Sequence, residues 1–248
     1  MRRRLPPLAR TSVVTDIERR LFLKRGLSLG ALTLLTGCDI TNQEGVYATL
    51  KAMSRWNDRV QAWLFDPNRL APTYSESELS KPFRFNAFYP PEQAPKIDGD
   101  TWRLELAGLI DDKRPVTLQQ LQAMPQETQI TKHICIEGWS VIGKYTGVSL
   151  RTFLQHIGAD TTARYVGFKC ADGYYGSLDM PSALHPQTQL TLKLDDEILP
   201  AQFGYPVRVR VPTKLGFKSP KHIVALFVTN TFPSGYWEDR GYNWFSGL

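Results

Sequence analysis

Cysteine and histidine are scarce in this chain, which has three cysteines and four histidines in 248 residues. It contains no Cys-x-x-Cys pair, no Cys-x-x-Cys-His haem-attachment motif and no His-x-x-x-His pair. These absences argue against iron–sulfur, c-type haem and standard zinc sites. Gly-x-Gly-x-x-Gly and the complete phosphate-loop motif ending in Gly-Lys-Ser/Thr are also missing, so a standard nucleotide site is not indicated.

Positive charge is concentrated at one end of the chain. The net charge is +6, and residues 1–37 alone carry eight positive and two negative residues, which also gives +6. The remaining residues therefore contain 22 positive and 22 negative side chains and are neutral overall. This distribution argues against a nucleic-acid-binding body.

The first segment has the pattern of a targeting peptide. A basic stretch with Arg19 and Arg20 precedes a nine-residue apolar run from Leu27 to Leu35, too short to span a bilayer. It resembles a twin-arginine signal, although Glu18 stands where serine or threonine is usual. The sequence "LLTGC" resembles a lipobox and predicts lipidation at Cys38. A short apolar start with a chance cysteine is the alternative.

The remainder predicts a strand-rich α+β body. Apolar residues at helical spacing predict a helix after Cys38 that ends before Pro67, followed by an extended, proline-broken linker. Trp102, Leu104 and Leu106 alternate as in a half-buried strand, and Thr117 and Ser149 are predicted helix caps. We expect a signal segment at 1–37, a helix and linker at 38–80, and a single domain at 81–248.

Cys135 is the first candidate for chemistry. In "KHICIEGWS", His133, Cys135 and Glu137 share one strand face, Ile134 and Ile136 share the other, and Gly138 allows a bend. A thiolate at a strand end suits a transition metal. The alternatives are an inert buried cysteine, a zinc ligand, a Cys-His hydrolase and a Cys135–Cys170 disulfide.

A basic segment, "VRVRVPTKLGFKSPKH", is the second candidate. Arg208 and Arg210 alternate with valines, and three lysines and His222 follow in a loop. Such a cluster suits a phosphate, although a solvated strand edge is the alternative. In "RFNAFYPP", Asn86 and Tyr89 could bind a heterocycle from a loop, or the loop could simply pack on the body.

Four longer blocks resemble one known family: "HICIEGWSVIGKYTGVSLRTFL", "RYVGFKCADGYYGSLDMPSALHPQT", "LPAQFGYPVRVRVPTKLGFKSPKHI" and "GYWEDRGYNWF". They are similar to the molybdopterin-binding domain of the sulfite oxidase family, most of all to its exported bacterial members, which include periplasmic methionine sulfoxide reductase catalytic subunits. The resemblance covers roughly residues 80–248. It implies a single α+β domain with a large, mixed, strand-rich sheet.

The resemblance also implies residue roles. Cys135 corresponds to the thiolate ligand of molybdenum. Glu137, two residues further on, could line the substrate funnel or a proton path, and a plain surface carboxylate is the alternative. The positions that correspond to cofactor-binding residues are Asn86, Tyr89, Pro90, Cys170, Arg208, Ser219, Pro220 and Lys221. Cys170 stands where relatives have threonine. Phe203 replaces an asparagine that contacts the cofactor in the reductases, so the same substrate does not follow.

The implied protein is an exported oxidoreductase with a molybdenum–molybdopterin cofactor that transfers an oxygen atom to or from a small substrate. Since the chain has no haem or cluster motif, its electrons would pass through a haem-containing inner-membrane subunit. The implied location is the periplasm, with possible anchoring at Cys38. The alternative is a cofactor-free, membrane-anchored lipoprotein that binds a ligand or partner.

Overall fold

The computed structural model describes residues 44–248 of the chain. The predicted signal at 1–37 and the predicted lipidation at Cys38 lie outside the described residues. Two compact units divide between Met53 and Ser54. In the described part, no helix combines the length and the apolar character that crossing a membrane requires. The predicted domain boundaries at 38 and 81 stay predictions.

The first element is helix α1, Glu44–Leu64, which agrees with the predicted helix before Pro67. From Ser54 onwards, its polar side bonds to the C-terminal segment, residues 243–248. Asp58 Oδ1 accepts a hydrogen bond from the backbone N–H of Phe245 at 2.6 Å, and Gln61 Oε1 accepts from Gly247 at 3.2 Å. The segment in turn bonds to Thr213 and Leu215 through backbone groups.

Ten strands and three further α-helices follow in residues 65–248. The strands are β1 Arg103–Gly108, β2 Val116–Thr117, β3 Glu127–Ile134, β4 Ser140–Ser149, β5 Tyr165–Cys170, β6 Tyr175–Asp179, β7 Gln189–Leu194, β8 Glu197–Ile198, β9 Arg208–Arg210 and β10 Ile223–Thr229. The helices are α2 Leu118–Ala123, α3 Leu150–His156 and α4 Met180–Ala183.

One five-stranded sheet has the order β2-β1-β10-β5-β6. It is mixed, since β1 runs parallel to β10, with Glu105 opposite Ala225, and the other pairs are antiparallel. The predicted alternation in β1 is confirmed, because Trp102, Leu104 and Leu106 are all buried.

The other sheet has the order β3-β4-β7-β8, with β9 paired to β7, and it is antiparallel throughout. β3 and β4 form a hairpin with eight successive pairs, from Glu127 opposite Gly147 to Ile134 opposite Ser140. Residues of both sheets, among them Leu104 and Leu190, belong to one buried apolar cluster. The long β3–β4 ladder positions the turn that carries Cys135.

The strand-rich α+β class is confirmed, but the strands are shared between two sheets and only the first is mixed. The cap at Thr117 is confirmed, since its side chain accepts from Gln120 N–H in a capping box. Ser149 is the N-cap residue of α3, as predicted, but its side chain makes no capping hydrogen bond. The backbone turns into α3 directly from the last residue of β4.

Candidate active site

Cys135 is the first residue of the turn between β3 and β4. Its backbone N–H donates to the carbonyl of Trp139 at 2.9 Å, and the N–H of Gly138 donates back to the Cys135 carbonyl at 3.1 Å. Gly138 closes this turn at a φ of 86°, in the left-handed region that glycine adopts without steric cost. The hairpin ladder therefore holds the cysteine sulfur at a defined position on a rigid mount.

The predicted strand alternation fails at this turn. His133 and Cys135 are buried, although their face was expected to lie toward a cleft or solvent, whereas Glu137 is exposed and Ile136 is 46% exposed instead of lying in the core. The reason is that β3 ends at Ile134, so the two-residue period of a strand does not extend beyond it. Ile136 thereby becomes an apolar residue beside the Cys135 thiol.

Glu137 lies next to the thiol and contacts it. Its Oε2 atom accepts a hydrogen bond from the Trp139 indole at 2.8 Å and lies 3.8 Å from Cys135 Sγ. Burial raises the pKa of the Cys135 thiol, and the nearby Glu137 carboxylate raises it further, against an opposing backbone hydrogen bond. A bound metal cation supplies the charge that stabilises the thiolate at such a position.

Two buried cations, Arg208 and Lys221, line the same cleft as Cys135. Arg208, on β9, donates to the carbonyls of Phe203 at 3.1 Å and Ser219 at 3.5 Å. The Lys221 ammonium donates to the carbonyls of Asn86 and of Gln202, the latter at 3.1 Å. These partners are neutral, and within residues 44–248 no salt bridge joins either cation to a carboxylate.

Desolvation is the dominant influence on both cations. Burial, followed by repulsion from Arg208, lowers the pKa of Lys221 to about 7, and burial lowers the pKa of Arg208 to about 10. Arg208 Nε is also buried without a hydrogen-bond partner. Since a buried charge without a counter-charge is unstable, the site fits an anionic group such as the phosphate of a pterin cofactor.

The other lysines of the basic segment are paired away from the cleft. Lys214 Nζ lies 3.6 Å from Asp179, and Lys218 Nζ contacts Glu238. The alternative of a solvated basic edge is wrong, because Arg208, Arg210 and all three lysines are buried. Arg210 does not line the cleft: its guanidinium lies over the Tyr145 ring and donates to the carbonyl of Lys132 at 2.7 Å.

The loop at residues 86–89 both lines the cleft and packs on the body, so the two alternatives for it are compatible. The Tyr89 hydroxyl donates to Asp172 Oδ2 at 2.9 Å. Burial and then the Asp172 carboxylate raise the pKa of Tyr89. The neighbouring Phe88 ring stacks on Tyr236 at 5.0 Å between centroids.

One cleft of about 840 Å³, including its open mouth, brings together eight of the ten predicted site residues. They are Asn86, Tyr89, Cys135, Glu137, Arg208, Ser219, Pro220 and Lys221. Pro90 and Cys170 do not line it. Pro90 is exposed before a 3₁₀ turn, and Cys170 is buried in the main apolar cluster at the end of β5. A cofactor contact by either residue stays a prediction.

Residues that the sequence reasoning missed complete the wall of the cleft. They are Ala87, Phe88, Ile136, Asp172, Tyr174, Gly216, Phe217, Trp237 and Tyr242. The aromatic, turn-rich tail containing Trp237 and Tyr242 was the available signal. Asp172 follows strand β5 in an Asp-Gly turn, and only its bond to Tyr89 reveals a role.

The other hypotheses for Cys135 find no support. Cys135 and Cys170 are both free, so they form no disulfide. Within the described residues, no group of three or more His, Cys, Asp or Glu side chains could hold a metal ion, which argues against zinc. Both ring nitrogens of His133 lack a hydrogen-bond partner, and burial followed by nearby cations holds its pKa well below the ordinary value. It is not a base paired with Cys135.

One thiol and two buried cations, which no salt bridge within residues 44–248 joins to a carboxylate, line one cleft and define a class of site. They suit a metal held jointly by one protein thiolate and by an organic ligand with an anionic tail. Such an arrangement is expected of an oxidoreductase whose redox chemistry resides in its cofactor.

Comparison with known proteins identifies that cofactor. Residues 91–237 match the family model described as "Oxidoreductase molybdopterin binding domain". A protein of Azospira oryzae named "Putative protein-methionine-sulfoxide reductase subunit YedZ1" is 59% identical over 92% of this chain and 87% of its own length. The protein-methionine-sulfoxide reductase catalytic subunit MsrP of Ralstonia nicotianae is 32% identical over 75% of this chain and 66% of its own length.

A solved structure shows the same fold. The sulfane dehydrogenase SoxCD of Paracoccus pantotrophus aligns over 56% of this chain and 40% of its own, with a TM-score of 0.52 and 20% identity. The chain therefore belongs to the sulfite oxidase family of molybdopterin-dependent oxidoreductases, and molybdenum–molybdopterin is its cofactor.

Proposed function

We propose that this protein is the exported catalytic subunit of a sulfoxide reductase, which removes the oxygen atom of a methionine-sulfoxide-type substrate. The single observation that carries the proposal is the cleft in which the Cys135 thiol lies together with Arg208 and Lys221, two buried cations without a salt bridge in the part of the chain that the structure describes. The names of its relatives support reduction of a sulfoxide over oxidation of sulfite.

The residues of the cleft divide into two sets. Cys135 would bind molybdenum, while Arg208, Ser219 and Lys221 would bind the phosphate of the pterin. Asn86 and Tyr89, from the loop, would contact the pterin ring system. When bound, the cofactor supplies the two-electron redox chemistry that accepts the sulfoxide oxygen.

The protein would contribute orientation and protons at the mouth of the cleft. The half-exposed Ile136 and the partly buried Phe217 and Trp237 present apolar surface on which the methyl thioether part of the substrate can pack. Reduction of a sulfoxide consumes two electrons and two protons and yields a thioether and water. Glu137, exposed beside the thiol, would relay one of these protons.

The electrons must enter from another protein, because this chain has no haem or cluster motif. Relatives are named as subunits of reductases, which supports a partner subunit. We propose a haem-containing inner-membrane subunit as that partner, export by the twin-arginine signal, and periplasmic action with anchoring at Cys38.

The test uses protein purified after expression with its signal and with ample molybdate. About one molybdenum per chain is expected. Turnover of methionine sulfoxide with an artificial electron donor would support the proposal. Turnover of sulfite with an electron acceptor, and none with sulfoxides, would refute the reductase direction while leaving the cofactor assignment intact. The Cys135→Ser variant provides the background rate.

A further inference from the structure

From Ser54 onwards, helix α1 packs with its polar side on the body and its apolar side in solvent. Ser54, Asp58 and Gln61 bond to the C-terminal segment. In contrast, Trp56 is 64% exposed and Trp63 is 83% exposed. This is the reverse of the ordinary amphipathic helix of a soluble domain, whose apolar stripe faces the core.

Three exposed residues, Trp56, Trp63 and Leu64, form one stripe with the partly exposed Val60. Trp56, Val60, Trp63 and Leu64 occupy positions i, i+4, i+7 and i+8, which lie on one face of a helix. We name these four residues the α1 outer face. Two exposed tryptophans on the same short helix face are unusual in water, since Trp is normally largely buried.

Positive charge borders this face. Arg55 and Arg59 are exposed, lie one helical turn apart, and precede Trp56 and Val60 directly. No ion pair in residues 44–248 uses either arginine. Asp58, the acidic residue between them, lies on the opposite side and accepts a hydrogen bond from Phe245. The outward charge of this part of α1 is therefore positive.

We infer that the α1 outer face docks on the surface of an anionic lipid bilayer, with the helix lying in the plane of the interface. Tryptophan and arginine around an apolar stripe are the composition of interfacial helices, in which indoles lie at headgroup depth and cations contact lipid phosphates.

The position of the helix in the chain favours a bilayer over a soluble partner. Glu44 follows Cys38, the predicted lipidation site, by six residues, which span about 20 Å at most. A chain anchored there would hold α1 close to the headgroups. The inference does not rest on the proposed sulfoxide chemistry, and it does not require the lipid anchor, since the arginines and tryptophans themselves provide affinity.

Tryptophan fluorescence tests this docking on the full chain with its cofactor bound. Residues 1–43 contain no tryptophan, so the N-terminal segment contributes no tryptophan emission. The difference between the emission of the wild type and that of the Trp56→Phe/Trp63→Phe variant isolates the two indoles of the outer face. Vesicles of phosphatidylethanolamine and phosphatidylglycerol are prepared with and without brominated acyl chains, which quench only indoles in contact with them.

Docking predicts that vesicles shift the difference spectrum to the blue and that brominated lipid quenches it about two-fold or more. An unshifted, unquenched difference spectrum would overturn the inference. A blue shift that grows with protein concentration without lipid, and no quenching by brominated lipid, would instead identify a second copy as the occupant. If the two indoles became buried only in membranes that contain the electron-transfer partner, that protein, and not the bilayer, would be the occupant of the face.

The charge component has a matched control. Arg55→Gln/Arg59→Gln should raise the lipid concentration for half-maximal quenching by about five-fold for each arginine removed. Lys96→Gln/Lys113→Gln removes two exposed cations elsewhere on the body and should change it little. If the two double variants had equal effects, the charge contribution would come from the net charge of the protein, and its assignment to this face would be overturned. Molybdenum content verifies that each variant is folded.

Discussion

Replacing Lys221 by methionine should stabilise the cofactor-free protein while weakening its hold on the cofactor. The lysine pKa falls from its usual 10.5 to about 7 because of burial and the neighbouring Arg208. At about 1.4 kcal/mol per pKa unit, keeping this ammonium charged in the folded state costs about 5 kcal/mol. The substitution also removes the hydrogen-bond donor of the Asn86 and Gln202 carbonyls, and the loss of both bonds destabilises the variant by about 1–3 kcal/mol. A net gain of about 2–4 kcal/mol remains below pH 7.

The sign of the pH dependence follows from proton linkage. Between the folded pKa of about 7 and the unfolded pKa of 10.5, the unfolded wild type binds more protons than the folded one. Wild-type stability therefore rises with pH across this window. The advantage of Lys221→Met is complete below about pH 7 and disappears towards about pH 10.5.

Urea denaturation of protein from cells that cannot synthesise the pterin measures both effects, and molybdenum content of protein from normal cells measures retention. Lys218→Met is the matched control, since Lys218 forms a buried salt bridge with Glu238 and its removal leaves that carboxylate buried without its cation. That control should destabilise the protein by about 3–5 kcal/mol. If Lys221→Met destabilised the cofactor-free protein as the control does, or left molybdenum content unchanged, the assignment of Lys221 to an anionic ligand would be refuted.

Cys135→Ser should reduce bound molybdenum at least about ten-fold while changing the free energy of unfolding by less than about 1 kcal/mol. Metal analysis measures the first effect and urea denaturation the second. Full turnover by this variant would contradict the ligand assignment. Gly138→Ala should lower the free energy of unfolding by about 1–2 kcal/mol because φ is 86° at this position. Gly176→Ala should change it little, since a methyl group there would have its nearest neighbour at 3.7 Å. Equal unfolding midpoints for the two variants would contradict the strain assigned to Gly138. Glu137→Gln should leave molybdenum content unchanged and lower kcat about 10²-fold, and an unchanged kcat would make Glu137 a plain surface carboxylate.

Local patterns in the sequence predicted the local structure of this protein well. The alternation of Trp102, Leu104 and Leu106 and the cap at Thr117 are confirmed because they depend on near neighbours along the chain. The division into two sheets could not be predicted in this way. The parallel pairing of Glu105 with Ala225 joins segments 120 residues apart, and no local pattern encodes it.

The candidate site shows the same division. Cys135, Arg208 and Lys221 were identified from residue type and family resemblance, and one cleft does bring them together. The exposure of Ile136 was missed because the strand period stops at a turn whose first residue is Cys135 itself. The bond between Tyr89 and Asp172 was also missed, since it joins residues 83 positions apart.

The C-terminal segment ties distant parts of the chain together. Asp58 and Gln61 accept hydrogen bonds from the backbone of Phe245 and Gly247, and the Ser246 carbonyl accepts from the backbone N–H of Leu215, at the start of the loop that leads to Ser219 and Lys221. A fusion partner or affinity tag attached after Leu248 would strain the hydrogen bonds of the C-terminal segment. A label for localisation or purification is therefore better inserted at an exposed loop elsewhere, because a load at this end would strain the backbone bonds to Thr213 and Leu215.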